Sequence, residues 1–334
     1  MNSGAAEVLE RLRNAKGGYS GQRLSDKLGV TRTQIWKHVE TLRQHGYRIQ
    51  GEPGDGYRLT QSPDRLYPEE ILGGLGTRWL ARQIDYFDEI DSTNRVAFDR
   101  GREGEGAGYT AIAEQQTAGR GRLGRSFFSP AYRNLYTSIL LRPTLSTAEA
   151  PTLIHAAAVG CANAIAKTLE DEASVEIKWP NDILLGGLKT CGILMEMSAE
   201  ATRLDFAILG VGVNLNVERS EFPEEFRMRA TSLRSHTGQS VDRKQFARTL
   251  YAELENAFDV HDQGGFEAIR PVYEARFRMI GEKVRVQDLD GSLCEGIVRG
   301  VATDGALELK TESGQVERLL AGDVTLVKGE PARA

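Results

Sequence analysis

Cysteine is scarce in this chain: three in 334 residues, Cys161, Cys191 and Cys294, far apart and odd in number. That excludes a disulfide framework and a cysteine metal cluster, and leaves the thiols as small buried apolar side chains. Also missing at the N-terminus is a run of eighteen apolar residues or a charged-then-apolar leader. No membrane association is therefore expected, and the chain is expected to stay in the cytoplasm. Nor is there a large excess of one charge: the net value is −5. It is unevenly spread, because residues 1–60 hold ten Lys or Arg against six Asp or Glu, +4, which leaves −9 for the remainder. A basic module on an acidic body is the distribution of a nucleic-acid contact confined to one end. Hydrophobic content of 40% and charged content of 27% are those of a soluble globular protein, and the length implies two or three domains, of which three are expected.

What is present is a loop rich in glycine and arginine. Glu114 to Pro130 reads Glu-Gln-Gln-Thr-Ala-Gly-Arg-Gly-Arg-Leu-Gly-Arg-Ser-Phe-Phe-Ser-Pro. Backbone without Cβ atoms at Gly119, Gly121 and Gly124 can approach a ligand and turn N–H groups toward it, while Arg120, Arg122 and Arg125 supply fixed positive charge. This describes an anion-binding loop; a basic surface loop without a ligand is the bland alternative. The glycines formally satisfy the dinucleotide pattern G-x-G-x-x-G, but that motif requires a helix next and an acid about twenty residues on. Ser-Phe-Phe-Ser-Pro does not start a helix, and Arg142-Pro143 stands where the acid would be.

The N-terminal pattern is helical. Val8, Leu9 and Leu12 share a face, a second short helix carries Leu24 and Leu28, and Gly29 ends it. Thr31 opens a third helix with Gln34 at capping-box spacing; Ile35, Val39 and Leu42 form its apolar face, and Arg32, Thr33, Trp36 and Lys37 the opposite one. A hairpin around a Gly/Pro/Asp turn follows over residues 46–59. Helix, turn, helix and wing suggest DNA binding through Thr31, Arg32, Thr33, Gln34 and Lys37, against the alternative of a three-helix interaction domain. A linker spans Gln61 to Tyr67. Beyond it lie a strand over 86–90, a helix over 94–100, strands over 109–114 and 135–141, and an Ala-rich helix over 152–169 with a narrow packing face. Strands at Val175–Trp179, Ile183–Leu185, Gly192–Met197 and Phe206–Val213 read as a meander, and an amphipathic helix carries Phe246, Leu250, Leu254 and Phe258. From Gly281, short strands (Lys283–Val286, Glu295–Val298, Ala306–Leu309, Val316–Leu320) separated by Asp-Gly and Ser-Gly turns predict a small β-barrel.

Several short motifs punctuate the middle: Asp91-Ser-Thr-Asn94, for which helix capping is the ordinary role; Lys178-Trp-Pro-Asn-Asp182; Lys189 before Gly192-Ile193; Gly210-Val-Gly-Val-Asn214; and Ala230-Thr-Ser-Leu233. Singly, each reads as structural. In this order, together with Gly119-Arg-Gly-Arg-Leu-Gly-Arg125 and Phe128-Ser-Pro130, they resemble the biotin protein ligases over nearly the whole chain, and with the N-terminal module the bifunctional ligase-repressors among them.

The resemblance implies an α+β chain: a winged helix-turn-helix over 1–62, a class II synthetase-like mixed sheet with helices over 66–275, and an SH3-like β-barrel over 278–329. It implies that biotin and MgATP give biotinyl-5′-AMP and pyrophosphate, and that the biotinyl group then passes to a lysine of a biotin carboxyl carrier protein. By similarity Lys189 and Arg122 are catalytic. Ser92, Thr93, Asn94, Gln116, Gly119, Arg120, Arg122, Lys189 and Gly192 hold biotin, and Arg122, Arg125, Lys178, Asn181 and Asn214 serve ATP. No resident metal site is expected. Operator DNA and a ligand-promoted homodimer are the other implied partners. Leu123 stands where the family commonly has a basic residue, and the aromatic clamp for adenine is not placed within 215–229. A lipoate-type ligase and a ligand-sensing repressor without turnover are the alternatives.

Overall fold

The structure is a computed structural model that describes residues 1–15, 17–52, 56–200, 203–288 and 291–327. Contacts divide it into two compact units, Met1–Gly73 and Gly74–Ala334.

In the first unit, α1 (Ser3–Arg13), α2 (Gly21–Leu28) and α3 (Arg32–Gln44) pack through Val8, Leu9, Leu12, Leu24, Ile35, Val39 and Leu42, all buried. The punctuation is as expected: Gly29 ends α2 at φ 65, and the Thr31 hydroxyl accepts the Gln34 N–H at 3.2 Å. Strands β1 (Arg48–Glu52) and β2 (Gly56–Gln61) pair antiparallel. The expected turn at Pro53-Gly54-Asp55 lies outside the described residues. A short α4 (Pro68–Leu72) belongs to this unit as well, tied by Arg13, which donates to the Glu69 carbonyl at 2.6 Å and pairs with Glu70.

The second unit is built on a seven-stranded sheet. Its elements are β3 (Gln83–Phe87), α5 (Thr93–Arg102), β4 (Tyr109–Ala113), β5 (Leu135–Leu141), α6 (Thr152–Leu169), β6 (Val175–Lys178), β7 (Asp182–Leu185), β8 (Leu188–Glu200) and β9 (Arg203–Val213). The strand order is β3-β4-β5-β9-β8-β7-β6, with β3–β4 parallel and the other pairs antiparallel. Two short helices, α7 (Glu224–Arg227) and α8 (Leu233–Thr237), lead to the long α9 (Arg243–Arg276), whose helical geometry is interrupted at Gly264 and Gly265.

The Ala-rich helix differs from the narrow-faced helix expected. α6 is buried almost all round, because it packs on β6–β8 and also on α9, where a Cβ at Gly160 would lie 2.9 Å from the Leu254 Cα. Small side chains serve contact on two sides, which one-sided periodicity does not register. It is also the one described helix long and apolar enough to cross a membrane, and 72% of that span is buried within the fold.

The C-terminal part is a five-stranded antiparallel sheet in the order β13-β12-β11-β10-β14: β10 (Lys283–Gln287), β11 (Leu293–Val301), β12 (Leu307–Lys310), β13 (Val316–Leu319) and β14 (Asp323–Leu326). The last strand was not anticipated. Leu289-Asp290, in the first expected turn, and residues 328–329 of the expected C-terminal domain lie outside the described residues.

Candidate active site

A cavity of about 860 Å³ is walled by the central sheet, the 114–130 loop, residues 222–230 and the C-terminal residues 322–326. Its geometry follows from how the loop is held. At the root, Glu114 and Arg243 are wholly buried and 2.7 Å apart; Arg243 also donates to the Asn134 carbonyl at 3.3 Å, and the Tyr132 N–H to the Glu114 carbonyl at 3.2 Å. Further out the backbone folds on itself, with Phe127 N–H donating to the Gly119 carbonyl at 2.9 Å and Gly121 N–H to the Arg125 carbonyl at 2.7 Å. The tip is a 3-10 turn over Arg122–Gly124 that holds the half-exposed Leu123 at φ 56, a left-handed conformation costing a non-glycine residue about 1–2 kcal/mol.

The three arginines diverge from this tip. Arg120 faces Glu196 at 3.6 Å. Arg122 donates to Asn181 Oδ1 at 3.3 Å and to the Gly322 carbonyl at 3.4 Å; Arg125 pairs with Asp323 at 2.7 Å. Burial pulls the Arg122 pKa below its ordinary value, Arg125 adds to this, and Asp182 and Asp323 oppose it. A guanidinium remains charged through such a shift, so a partly desolvated cation stands in the wall.

A second cation, Lys189, is held at the next residue of the same turn, its Nζ 2.7 Å from Asp182 Oδ1. Its approach depends on Gly192, where a Cβ would come within 3.2 Å of Nζ and 3.1 Å of the Phe127 ring. Gly212 is as constrained, since a Cβ there would meet the same ring at 2.5 Å. Two glycines thus let an aromatic ring rest against the sheet. Asn181 Nδ2 donates to the Ile193 carbonyl at 2.7 Å, and Asn214 Oδ1 accepts from Asn134 Nδ2 at 3.1 Å, so both amides brace the wall they belong to.

The inner end of the cavity is polar. Gln116 Oε1 accepts from the Thr93 N–H at 2.9 Å and lies 3.0 Å from Thr93 Oγ1; Ser138 Oγ is 2.7 Å from Thr93 Oγ1 and 2.6 Å from Asn94 Oδ1; Asn94 Nδ2 donates to Glu196 Oε2 at 2.8 Å. Capping, the ordinary role for Asp91-Ser-Thr-Asn94, is not the one observed: Ser92 begins α5 without a side-chain cap bond, and Thr93 and Asn94 turn into this network. Ser92, Thr93, Asn94, Gln116, Arg120, Arg122, Arg125, Lys178, Asn181, Lys189, Gly192 and Asn214 all line the cavity. Gly119 does not. It is a buried neck of the loop, where a Cβ would lie 2.7 Å from the Phe127 carbonyl oxygen and from Ser129 Oγ.

In the first unit the expected DNA-reading residues divide. Arg32, Thr33 and Lys37 share an exposed face of α3 with Trp36, which is 53% exposed. Thr31 is engaged as the cap, and the Gln34 side-chain amide lies 3.2 Å from His38 Nε2.

Residues 86–214 match the biotin/lipoate A/B protein ligase family, 5–58 an HTH domain and 279–327 the biotin protein ligase C-terminal domain. The bifunctional ligase/repressor BirA of Bacillus subtilis (strain 168) is 35% identical over 309 residues, covering 92% of this chain and 93% of its own. The protein of the same description from Escherichia coli (strain K12) is 32% identical over 312 residues, 93% of this chain and 94% of its own. The chain belongs to the biotin protein ligases. The fold agrees: the biotin protein ligase from Aquifex aeolicus in complex with biotin and ATP superposes with a TM-score of 0.63 at 27% identity, over 74% of this chain and all of that one.

In this biotin protein ligase the cavity also contains residues that sequence reasoning did not select. Asp182 closes the Lys178–Asp182 motif, Asp323 belongs to the unanticipated β14, and just behind the wall Ser138 and Glu196 sit unmarked within strands and bond Asn94, which lines it. The missing aromatic surface has candidates as well: Phe222 and Phe226 line the cavity, and the Phe128 and Phe222 ring centres are 6.0 Å apart.

Proposed function

We propose that this chain condenses biotin with MgATP to biotinyl-5′-AMP and pyrophosphate, transfers the biotinyl group to a lysine of a biotin carboxyl carrier protein, and represses transcription in response to biotin. The observation that carries this reading is one cavity with a cationic outer wall and a polar inner end. A biotin carboxylate oxygen attacks the α-phosphorus and pyrophosphate leaves; the carrier amine then attacks the acyl carbon and AMP leaves. Both steps bring anions together, so their rate depends on preorganised positive charge more than on covalent catalysis.

Lys189 and Arg122, held on the consecutive residues Asp182 and Asn181, supply that charge. Asp182 holds Lys189 until the anions arrive. Ser92, Thr93, Asn94, Gln116, Arg120 and Gly192 surround the biotin head, with Gly119 shaping the loop behind them. Arg125, Lys178, Asn181 and Asn214 serve the nucleotide, and Phe222 and Phe226 offer apolar surface to adenine. Mg²⁺ enters as part of the substrate. Among the described residues no group of three or more His, Cys, Asp or Glu could hold a metal. Asp182, Asp323 and Glu225 line the cavity singly, which suits an ion held mainly by phosphates with one or two carboxylates. The polar inner end favours a ureido head over an apolar dithiolane, whose burial there would leave hydroxyls and amides unpaired.

The first unit binds operator DNA through the exposed face of α3, as a homodimer promoted by the adenylate, in the cytoplasm. Biotin-dependent exchange of labelled pyrophosphate into ATP tests the enzyme. Lys189→Ala is expected to lower exchange by about a hundredfold or more with little change in melting temperature; no exchange by the parent protein would leave only a ligand-binding repressor. Titration of labelled operator DNA with and without biotin and ATP tests the second role. Arg32→Ala or Lys37→Ala should lower the salt slope by about one if either meets a phosphate.

A further inference from the structure

The polar inner end of the cavity is one hydrogen short. Four oxygens form a chain, Gln116 Oε1, Thr93 Oγ1, Ser138 Oγ and Asn94 Oδ1, with links of 3.0, 2.7 and 2.6 Å. Each link needs a hydrogen between its two oxygens, and only two are available, from the Thr93 and Ser138 hydroxyls. Both ends of the chain are fixed as acceptors. Gln116 Oε1 is held in place by the Thr93 backbone N–H at 2.9 Å, and Gln116 Nε2 is occupied at the other side by Ser129 Oγ at 3.2 Å. Asn94 could cure the deficit by turning its NH2 toward Ser138, but that would place Oδ1 against Glu196.

Glu196 prevents the turn. Its carboxylate accepts from Asn94 Nδ2 at 2.8 Å, with Arg120 on its other oxygen at 3.6 Å. Alternation along β8 puts Glu196 on the face of Gly192 and Leu194, both of which line the cavity. Gly210 completes the arrangement, since a Cβ there would lie 2.1 Å from Asn94 Oδ1. Thr93, Asn94 and Ser138 are 3%, 4% and 0% exposed, so an oxygen–oxygen contact without a hydrogen is costly there.

We propose that Glu196 is a positioning residue that fixes the Asn94 amide and so keeps this end of the cavity an acceptor array, selecting a ligand whose head brings N–H donors. The inference rests on the biotin reading and deepens it. A ureido ring supplies the missing hydrogen; a ring of the same shape without N–H groups does not. In Glu196→Gln, the new amide can donate to Asn94 Oδ1, which frees Asn94 to turn and donate to Ser138. The chain then holds three hydrogens for three links, and the advantage of a donor ligand disappears.

The test compares binding of biotin with that of its cyclopentanone analogue, in which both ureido N–H groups are CH2, by calorimetry on the full chain. The parent should prefer biotin strongly. Glu196→Gln should weaken biotin binding by about 10- to 100-fold and analogue binding by less than about threefold. A misfolded or loosened site would instead lose both ligands alike. Ser138→Ala gives an independent check, because it removes the shared oxygen and leaves the Thr93 hydrogen to Gln116; the preference should fall there too. Parental preference retained in either folded variant, or equal losses for both ligands, would overturn the proposal. A parent protein that binds neither compound would overturn the ligase reading itself.

Discussion

Among the arginine–carboxylate pairs that hold the 114–130 loop, one at its root and one at its tip are both 2.7 Å long. Arg243 and Glu114 at the root expose none of their side-chain surface, whereas Arg125 and Asp323 at the tip are 64% and 38% exposed. Distance therefore does not rank them. Charges taken out of water depend on each other, and removing one strands the other; charges left in water are already solvated and screened. The loop is thus fixed where it leaves the sheet and only lightly held at its tip.

Breaking the root should have the largest effect. Glu114→Ala leaves the Arg243 guanidinium buried without a counter-charge from Glu114 and is expected to cost about 3–5 kcal/mol in denaturant unfolding. Replacing the pair together, Glu114→Leu with Arg243→Met, should recover most of that loss, because the penalty belongs to the stranded charge. A cost under 1 kcal/mol for Glu114→Ala would remove the contrast altogether.

Buried anchorage should also respond to pH. His155 on α6 donates from Nε2 to the Gly305 carbonyl at 3.2 Å, and burial pulls its pKa down to about 4. The folded state holds it neutral, while the unfolded chain takes up a proton near 6.5. Its contribution is complete above about pH 6.5 and is lost as the pH falls toward 4, reaching about 3 kcal/mol. His155→Gln should flatten that part of the stability curve. An unchanged slope between pH 6.5 and 4 would place the acid sensitivity elsewhere.

The smallest effect is expected at the tip. Asp323→Ala should cost less than about 1 kcal/mol, and the difference should fade in about 1 M salt, where the screening length is about 3 Å. A salt-independent loss as large as that at the root would show the tip to be anchored too.

What could be read in the sequence was local or ordered along the chain. Gly29 and Thr31 mark helix ends by backbone chemistry that needs no tertiary contact, and the loop's arginines mark a cationic segment by residue type alone, while Gly119 turns out to shape the loop's neck instead of lining the cavity. The site itself was legible as a succession of motifs, but not as geometry. Glu196 falls in a strand where a lone carboxylate reads as solvent-facing; only the side-by-side placement of β5, β9 and β8 brings it to Asn94 and Ser138. β14 is four residues long, too short for alternation to stand out, yet it carries Asp323. Phe222 and Phe226 flank the start of a four-residue helix, where there is no periodicity to follow. The burial of α6 on two sides was hidden for a related reason: small residues fit a one-sided or a two-sided contact equally well.

The Gly305 carbonyl has one more implication. It accepts from His155 Nε2 and, at 3.0 Å, from Trp179 Nε1, beside the Lys178 and Asn181 that line the cavity. The turn before β12 is therefore riveted to the site by two donors at one atom, and β14 forms part of the cavity wall. For anyone trimming or fusing this protein, the boundary at Gly73–Gly74 is a natural cut, whereas a cut after α9 would remove a wall of the cavity and leave two interior N–H groups facing nothing.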